Sequence, residues 1–131
     1  MASNPYLLLR AIGHDRGEIF DPVLVDVYEQ AGVNLNQVVI GHLNDITDQP
    51  TVAPLTIAKR GAYVGFDHSG RPDDPRLQEY VRTIMAILEA GYVDKVCLSS
   101  DFSNGKYLRK NGGPGIATTM TDASSIILDH V

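Results

Sequence analysis

The sequence predicts an α/β fold of about four βα units with parallel strands, on three observations. Four short apolar runs each end on a polar, metal-capable residue: Leu7–Ile12 before His14, Val38–Gly41 before His42, Tyr63–Phe66 before Asp67-His68, and Val96–Ser100 before Asp101. These anchors lie 28, 26 and 33 residues apart, the length of a strand, a helix and two loops. The segments between them carry helical periodicity, and strand–helix alternation implies a parallel sheet joined by crossovers.

Taken in order, Tyr6 to Ile12 reads as a strand interrupted by Arg10, with a short helix as the alternative. A polar loop, Asp15 to Glu18, follows His14. Asp21-Pro22 then supplies an N-cap and a first-turn proline. Val23, Leu24, Val27, Tyr28 and Ala31 share one helical face, and Gly32 stops the helix. Val38–Ile40 is the next strand, with His42 past its end and Asn44, Asp45 and Asp48 in a loop. A helix over about 49–60 keeps Pro50 and Pro54 in its first turns and closes at Gly61. Ala62–Phe66 is a strand, followed by the polar loop Asp67 to Arg71. Asp74-Pro75 repeats the cap device, and Leu77, Tyr80, Val81, Ile84 and Leu88 form an amphipathic helix ended by Gly91. Lys95–Ser99 is the fourth strand. Phe102 to about Thr119 is a long loop containing Asn111-Gly112-Gly113-Pro114-Gly115, and Thr121–Val131 makes a short final helix. The strands are apolar at successive positions, as expected when both faces are buried.

The bulk composition narrows the function classes. With 131 residues, 44% hydrophobic and 21% charged, the chain is expected to be a single domain, residues 1–131, with an ordinary core. A net charge of −5 without a basic run removes the electrostatic footprint of a nucleic-acid binder. Cys97 is the single cysteine, which suits a reducing compartment and reads as a small buried hydrophobe. No stretch has the length of a membrane span and the N-terminus lacks a signal-peptide pattern, so a cytoplasmic location is expected.

Imidazole and carboxylate groups at strand ends suit a divalent ion, zinc first and manganese, iron or cobalt as alternatives. Such an ion lowers the pKa of a bound water and polarises an ester or phosphoryl oxygen. His14, His42 and Asp101 are the candidate ligands, and Asp101 could also take the proton of the attacking water. A histidine after a strand is more often a hydrogen-bonded loop residue, and for His68 alone that reading, or an outer supporting role, is preferred. Asp67 could orient a neighbouring histidine or touch substrate. Lys106, Arg109 and Lys110 lie in a glycine-rich loop without a phosphate-loop motif, and Ser99-Ser100 has no nucleophile elbow around it.

Three stretches resemble one family. Gly32 to His42 is similar to the segment entering the sixth strand of the phosphotriesterase family, in the amidohydrolase superfamily. Lys59 to His68 resembles its seventh strand. Val96 to Phe102, with Lys110-Asn111-Gly112-Gly113-Pro114-Gly115, resembles its eighth strand and following loop. The resemblance covers roughly residues 11 to 121 and implies strands 5–8 of a TIM barrel, a (βα) half-barrel. It implies a hydrolase of phosphotriesters, lactones or related small-molecule esters that works through a metal-bound hydroxide, usually at a binuclear zinc centre. His14 and His42 would be ligands of one metal. Asp101 would be ligand of the other and proton acceptor, with Asp67 and His68 in proton relay or leaving-group contacts. The family's first-strand His-x-His pair and fourth-strand lysine have no counterpart among these residues, and Ile12-Gly13-His14-Asp15 departs from the usual fifth-strand pattern. A half-barrel exposes sheet edges and an apolar inner face, so a homodimer or completion by another chain is expected. The alternative is a truncated, catalytically silent metal-binding half-barrel or an oligomerising remnant.

Overall fold

The computed structural model describes residues 22–45, 51–68, 74–123, 125 and 128. The expected first strand, His14, the Asp21 cap, the start of the second helix and most of the expected final helix lie outside these residues. What is described is an α/β fold with a three-stranded parallel sheet in the order β1 (Val39–Ile40), β2 (Tyr63–Phe66), β3 (Val96–Leu98). Val39 pairs with Tyr63 and Ile40 with Val64, while Val64, Gly65 and Phe66 pair with Val96, Cys97 and Leu98. Helix α1 (Pro22–Gln30) precedes β1, α2 (Val52–Lys59) links β1 to β2, and α3 (Leu77–Glu89) links β2 to β3. No described helix is long and apolar enough to cross a membrane.

Local chemistry sets the helix ends. Pro22 occupies the first position of α1, where a missing N–H costs nothing. Gly32 and Gly91 follow α1 and α3 with φ of +74° and +88°. In each case the next amide reaches back to the last turn, Val33 N–H to the Tyr28 carbonyl at 2.9 Å and Tyr92 N–H to that of Ile87 at 3.1 Å. This Schellman closure needs a left-handed residue, which glycine enters without steric cost.

The core is built from Ile40, Val64 and Phe66 of the sheet, Ile57 and Ala58 of α2, Val81, Ile84 and Ile87 of α3, and Val25 and Tyr28 of α1. Two expectations are corrected. Val27 is 53% exposed, whereas Val25, outside the expected face, is 1% exposed. The buried stripe of α1 is therefore Leu24, Val25 and Tyr28, rotated from the expected one. Apolar residues at neighbouring i, i+3 and i, i+4 positions support both stripes, and only packing against the sheet separates them. The strands are also not uniformly buried, since Val96, Cys97 and Leu98 are all only partly buried. β3 is a sheet edge among the described residues, pairing with β2 alone. Half-burial pushes the Cys97 thiol up, which disfavours the reactive thiolate.

The N-terminal ends of the strands are tied by Lys95. Its Nζ donates to the Gly61 carbonyl at 2.9 Å and to Asn36 Oδ1 at 3.0 Å, and sits 4.5 Å from the centre of the Tyr63 ring. Arg60 joins α2 to α1 through Asp26 and Glu29, each at 2.6 Å.

The corrected stripe gives a direct test. Val25→Ala should lower unfolding free energy by about 1.5–3 kcal/mol in urea denaturation. Val27→Ala should stay within about 0.5 kcal/mol of the parent. Equal losses would restore the original face.

Candidate active site

The C-terminal ends of β1, β2 and β3 meet at the carboxylate of Asp67. β1 stops at Ile40, and Gly41-His42 turns away with His42 at φ +60°. The His42 amide donates to Asp67 Oδ2 at 2.5 Å, and His42 Nδ1 lies 2.9 Å from the same oxygen. Ser99 Oγ, just beyond β3, donates to Asp67 Oδ1 at 2.9 Å. The Asp67 amide donates to Oδ1 of the buried Asn44 at 2.9 Å. An ionised carboxylate can only accept, so one 2.9 Å from Nδ1 favours a proton on that nitrogen of a neutral His42 ring. Nε2 then carries the lone pair, the state in which imidazole ligates metals. Asp67 therefore contacts the histidine of the neighbouring strand end, not the one beside it in sequence.

His68 has a carboxylate of its own. His68 Nδ1 is 2.8 Å from Asp74 Oδ2, whose side chain is 7% exposed. Asp74 Oδ1 accepts from the Arg76 amide at 2.9 Å, and the Tyr80 hydroxyl donates to the His68 carbonyl at 3.1 Å. Asp74 is thus not the N-cap of α3, which begins at Leu77. It closes a turn just before the helix with one oxygen and holds His68 with the other. Burial pushes its carboxyl up, but the Arg76 amide, the His68 hydrogen bond and the Arg76 charge together hold it below its ordinary value.

Asp101 is half-buried beyond β3 with φ +48°. Its carbonyl accepts from the Ser103 amide at 3.0 Å. The adjacent Phe102 ring stacks on Tyr107 at 4.5 Å between centres. Ser100 bonds Thr119, which anchors this strand end to the π-type turn Thr119–Ala123. His42 and Asp101 are the two non-glycine residues with positive φ among the described residues.

Of the five residues singled out from the sequence, the structure links His42 with Asp67, joins His68 to Asp74, and sets Asp101 at the end of the next strand. His14 lies outside the described residues. Among those residues no three His, Cys, Asp or Glu side chains gather into a metal-holding group. The sequence alone marks Asn44 as a loop residue, Ser99 as a strand residue and Asp74 as a cap. Parallel register is what could have found Ser99. Phe66 pairs with Leu98, so the residues that follow, Asp67 and Ser99, are neighbours.

Residues 15–127 match the profile of the Phosphotriesterase family. The phosphotriesterase homology protein of Mycobacterium tuberculosis (strain ATCC 25618 / H37Rv) is 36% identical over 75 residues, 57% of this chain and 22% of that protein. An N-acetyltaurine hydrolase of Xenopus tropicalis is 25% identical over 103 residues, 70% of this chain and 29% of that protein. The crystal structure of a resiniferatoxin-binding protein from Rhodobacter sphaeroides superposes with TM-score 0.71 and 28% identity, covering 82% of this chain and 32% of the other. The phosphotriesterase homology protein of Escherichia coli, solved with phosphate in its active site, gives TM-score 0.69 and 25% identity, covering 81% and 36%. The chain thus spans between 22% and 36% of the length of these proteins.

The depressed Asp74 carboxyl makes a pH-dependent contribution to stability. Its folded value lies below the ordinary 3.8, so the contribution is complete above 3.8 and is lost as pH falls through the folded value. Near pH 6 the parent should exceed Asp74→Asn by about 1.5–3 kcal/mol in unfolding free energy. The gap should narrow below the carboxylate's ordinary range, and a gap constant with pH would show that the charge is not what stabilises.

Proposed function

The chain belongs to the phosphotriesterase family, and from that premise we propose that it contributes to a metal-dependent hydrolase of phosphotriester, lactone or related ester bonds. The observation that carries this reading is the pair of left-handed residues. His42 and Asp101, both named as ligands by the family resemblance, are the non-glycine residues held at positive φ among those described. That conformation costs about 1–2 kcal/mol per residue, and such outliers concentrate at functional sites.

The donor chemistry fits a divalent ion. His42 offers Nε2 from a ring fixed by Asp67, Asp101 offers a carboxylate, and His14 would add an imidazole by family resemblance. Zinc is the first expectation, with manganese, iron or cobalt suited to the same donors. When bound, the ion would supply Lewis acidity toward water and toward the phosphoryl or acyl oxygen. The chain's own groups do the rest: Asp67 orients His42, Asp101 accepts a proton from attacking water, and His68 moves a proton to or from the leaving group. The N-acetyltaurine hydrolase relative brings an acyl–nitrogen bond within the range of substrates to try.

A second reading is a metal-binding half-barrel without turnover, in which His42 and Asp101 take part in holding an ion. Both readings involve association. The partly buried β3 is a sheet edge among the described residues, which supports pairing with a second copy or with another chain.

Metal content per chain, measured without chelator, should be near stoichiometric and should drop at least tenfold in His42→Ala. Hydrolysis of an aryl phosphotriester, a lactone or N-acetyltaurine should fall by about 10²–10⁴ in Asp101→Asn. Metal uptake without turnover selects the second reading, and no uptake after loading with zinc or manganese removes both. Light scattering should give a dimer, and a monodisperse monomer would overturn the association.

A further inference from the structure

We infer that Asp74 is the positioning residue of His68, fixing its ring with the proton on Nδ1 so that Nε2 is the proton-accepting nitrogen. The inference deepens the proposed function, because it rests on His68 moving a proton in that reaction.

Four contacts support it. Asp74 Oδ2 lies 2.8 Å from His68 Nδ1, within charge-assisted hydrogen-bond range. Asp74 Oδ1 is occupied by the Arg76 amide at 2.9 Å, with Arg76 Nε 3.7 Å away, so the carboxylate cannot rotate off the ring without losing its turn. The Tyr80 hydroxyl holds the His68 carbonyl at 3.1 Å, tying the backbone that carries the ring to α3. The two side chains are 16% and 7% exposed, so water competes weakly for the pair.

A helix cap alone needs one carboxylate oxygen. Asp74 uses both, and the second goes to an imidazole six residues back. A carboxylate held ionised can only accept, so it selects the Nδ1–H form of a neutral ring. When Nε2 takes a proton, Asp74 faces the resulting imidazolium and stabilises it. This is the division of labour between base and orienting carboxylate that defines catalytic acid–base pairs on unrelated folds.

The test reads the tautomer directly, in the full chain. Long-range ¹H–¹⁵N correlation spectra at about pH 8.5, where imidazoles are neutral, separate the Nδ1–H from the Nε2–H form. The His68 ring is assigned by the loss of its signals in His68→Gln. The parent should show His68 as Nδ1–H. In Asp74→Asn the new amide can keep the Arg76 amide on its oxygen and donate to Nδ1 through its nitrogen, so His68 should switch to Nε2–H. Asp74→Ser can still cap the turn but has no carboxylate, and should also lose the Nδ1–H preference. An Nε2–H ring in the parent, or an Nδ1–H ring that survives in a folded variant, overturns the inference. The parent spectrum decides even if neither variant folds. Since the readout requires no turnover and no metal, its failure is separable from failure of the proposed hydrolysis.

Discussion

Asp67 accepts hydrogen bonds from the two strand ends that flank its own. Its Oδ2 takes the amide of His42 after β1, with the His42 ring 2.9 Å away as an ion-pair contact, and its Oδ1 takes Ser99 after β3, while its amide is held by Asn44. Much of the site's geometry depends on that carboxylate. A left-handed His42 is unfavourable by about 1–2 kcal/mol. Hydrogen bonds to a charged acceptor each contribute about 1.5–3 kcal/mol. The amide bond from His42 to Asp67 is therefore sufficient to offset the backbone strain. The same carboxylate lies beside the His42 ring, so one residue bears on where the backbone turns and on which ring nitrogen carries the lone pair.

The opposite end of the sheet is organised by a cation. Lys95, just before β3, reaches the Gly61 carbonyl before β2 and the Asn36 side chain before β1. The two ends thus use the same device with opposite charge: a single side chain spanning three parallel strands. Parallel strands share a polarity, so their C-terminal ends collect groups from several units on one face, while the other face is left to stability. Lys95 is committed to its carbonyl and amide partners, whereas the carboxylate end sets imidazole nitrogens beside the strand ends.

Much of this was legible in the sequence. The apolar runs, their polar endings and the intervening helices placed β1, β2, β3, α1 and α3 within one or two residues, because burial and glycine stops act locally. Three things were not legible. The roll of α1 depended on packing, since Val25 and Val27 are equivalent to any local rule. The N-cap of α3 shifted from Asp74 to Arg76 because the Asp74 carboxylate is divided between a turn amide and His68. The pairing of carboxylates with histidines was hidden by adjacency. Asp67 and His68 are neighbours in sequence, yet both lie in the turn that follows β2, and their side chains leave it toward different elements. Each found its partner elsewhere, Asp67 across the sheet and His68 in the loop before α3.

That crossing separates the two histidines in kind. His42 is fixed by a carboxylate from the neighbouring strand, with its own amide bound to the same oxygen, so both ring and backbone are referred to the sheet. A metal ligand needs this, because a lone pair displaced by a few tenths of an ångström loses its geometry. His68 is fixed by a carboxylate six residues on, anchored to the first turn of α3 and followed by the Tyr80 hydroxyl on its carbonyl. Its frame is the turn that leads into α3, not the sheet. The same Nδ1–carboxylate contact, mounted on the sheet in one case and beside α3 in the other, is what supports the proposed roles of His42 as an ion ligand and His68 as a proton carrier.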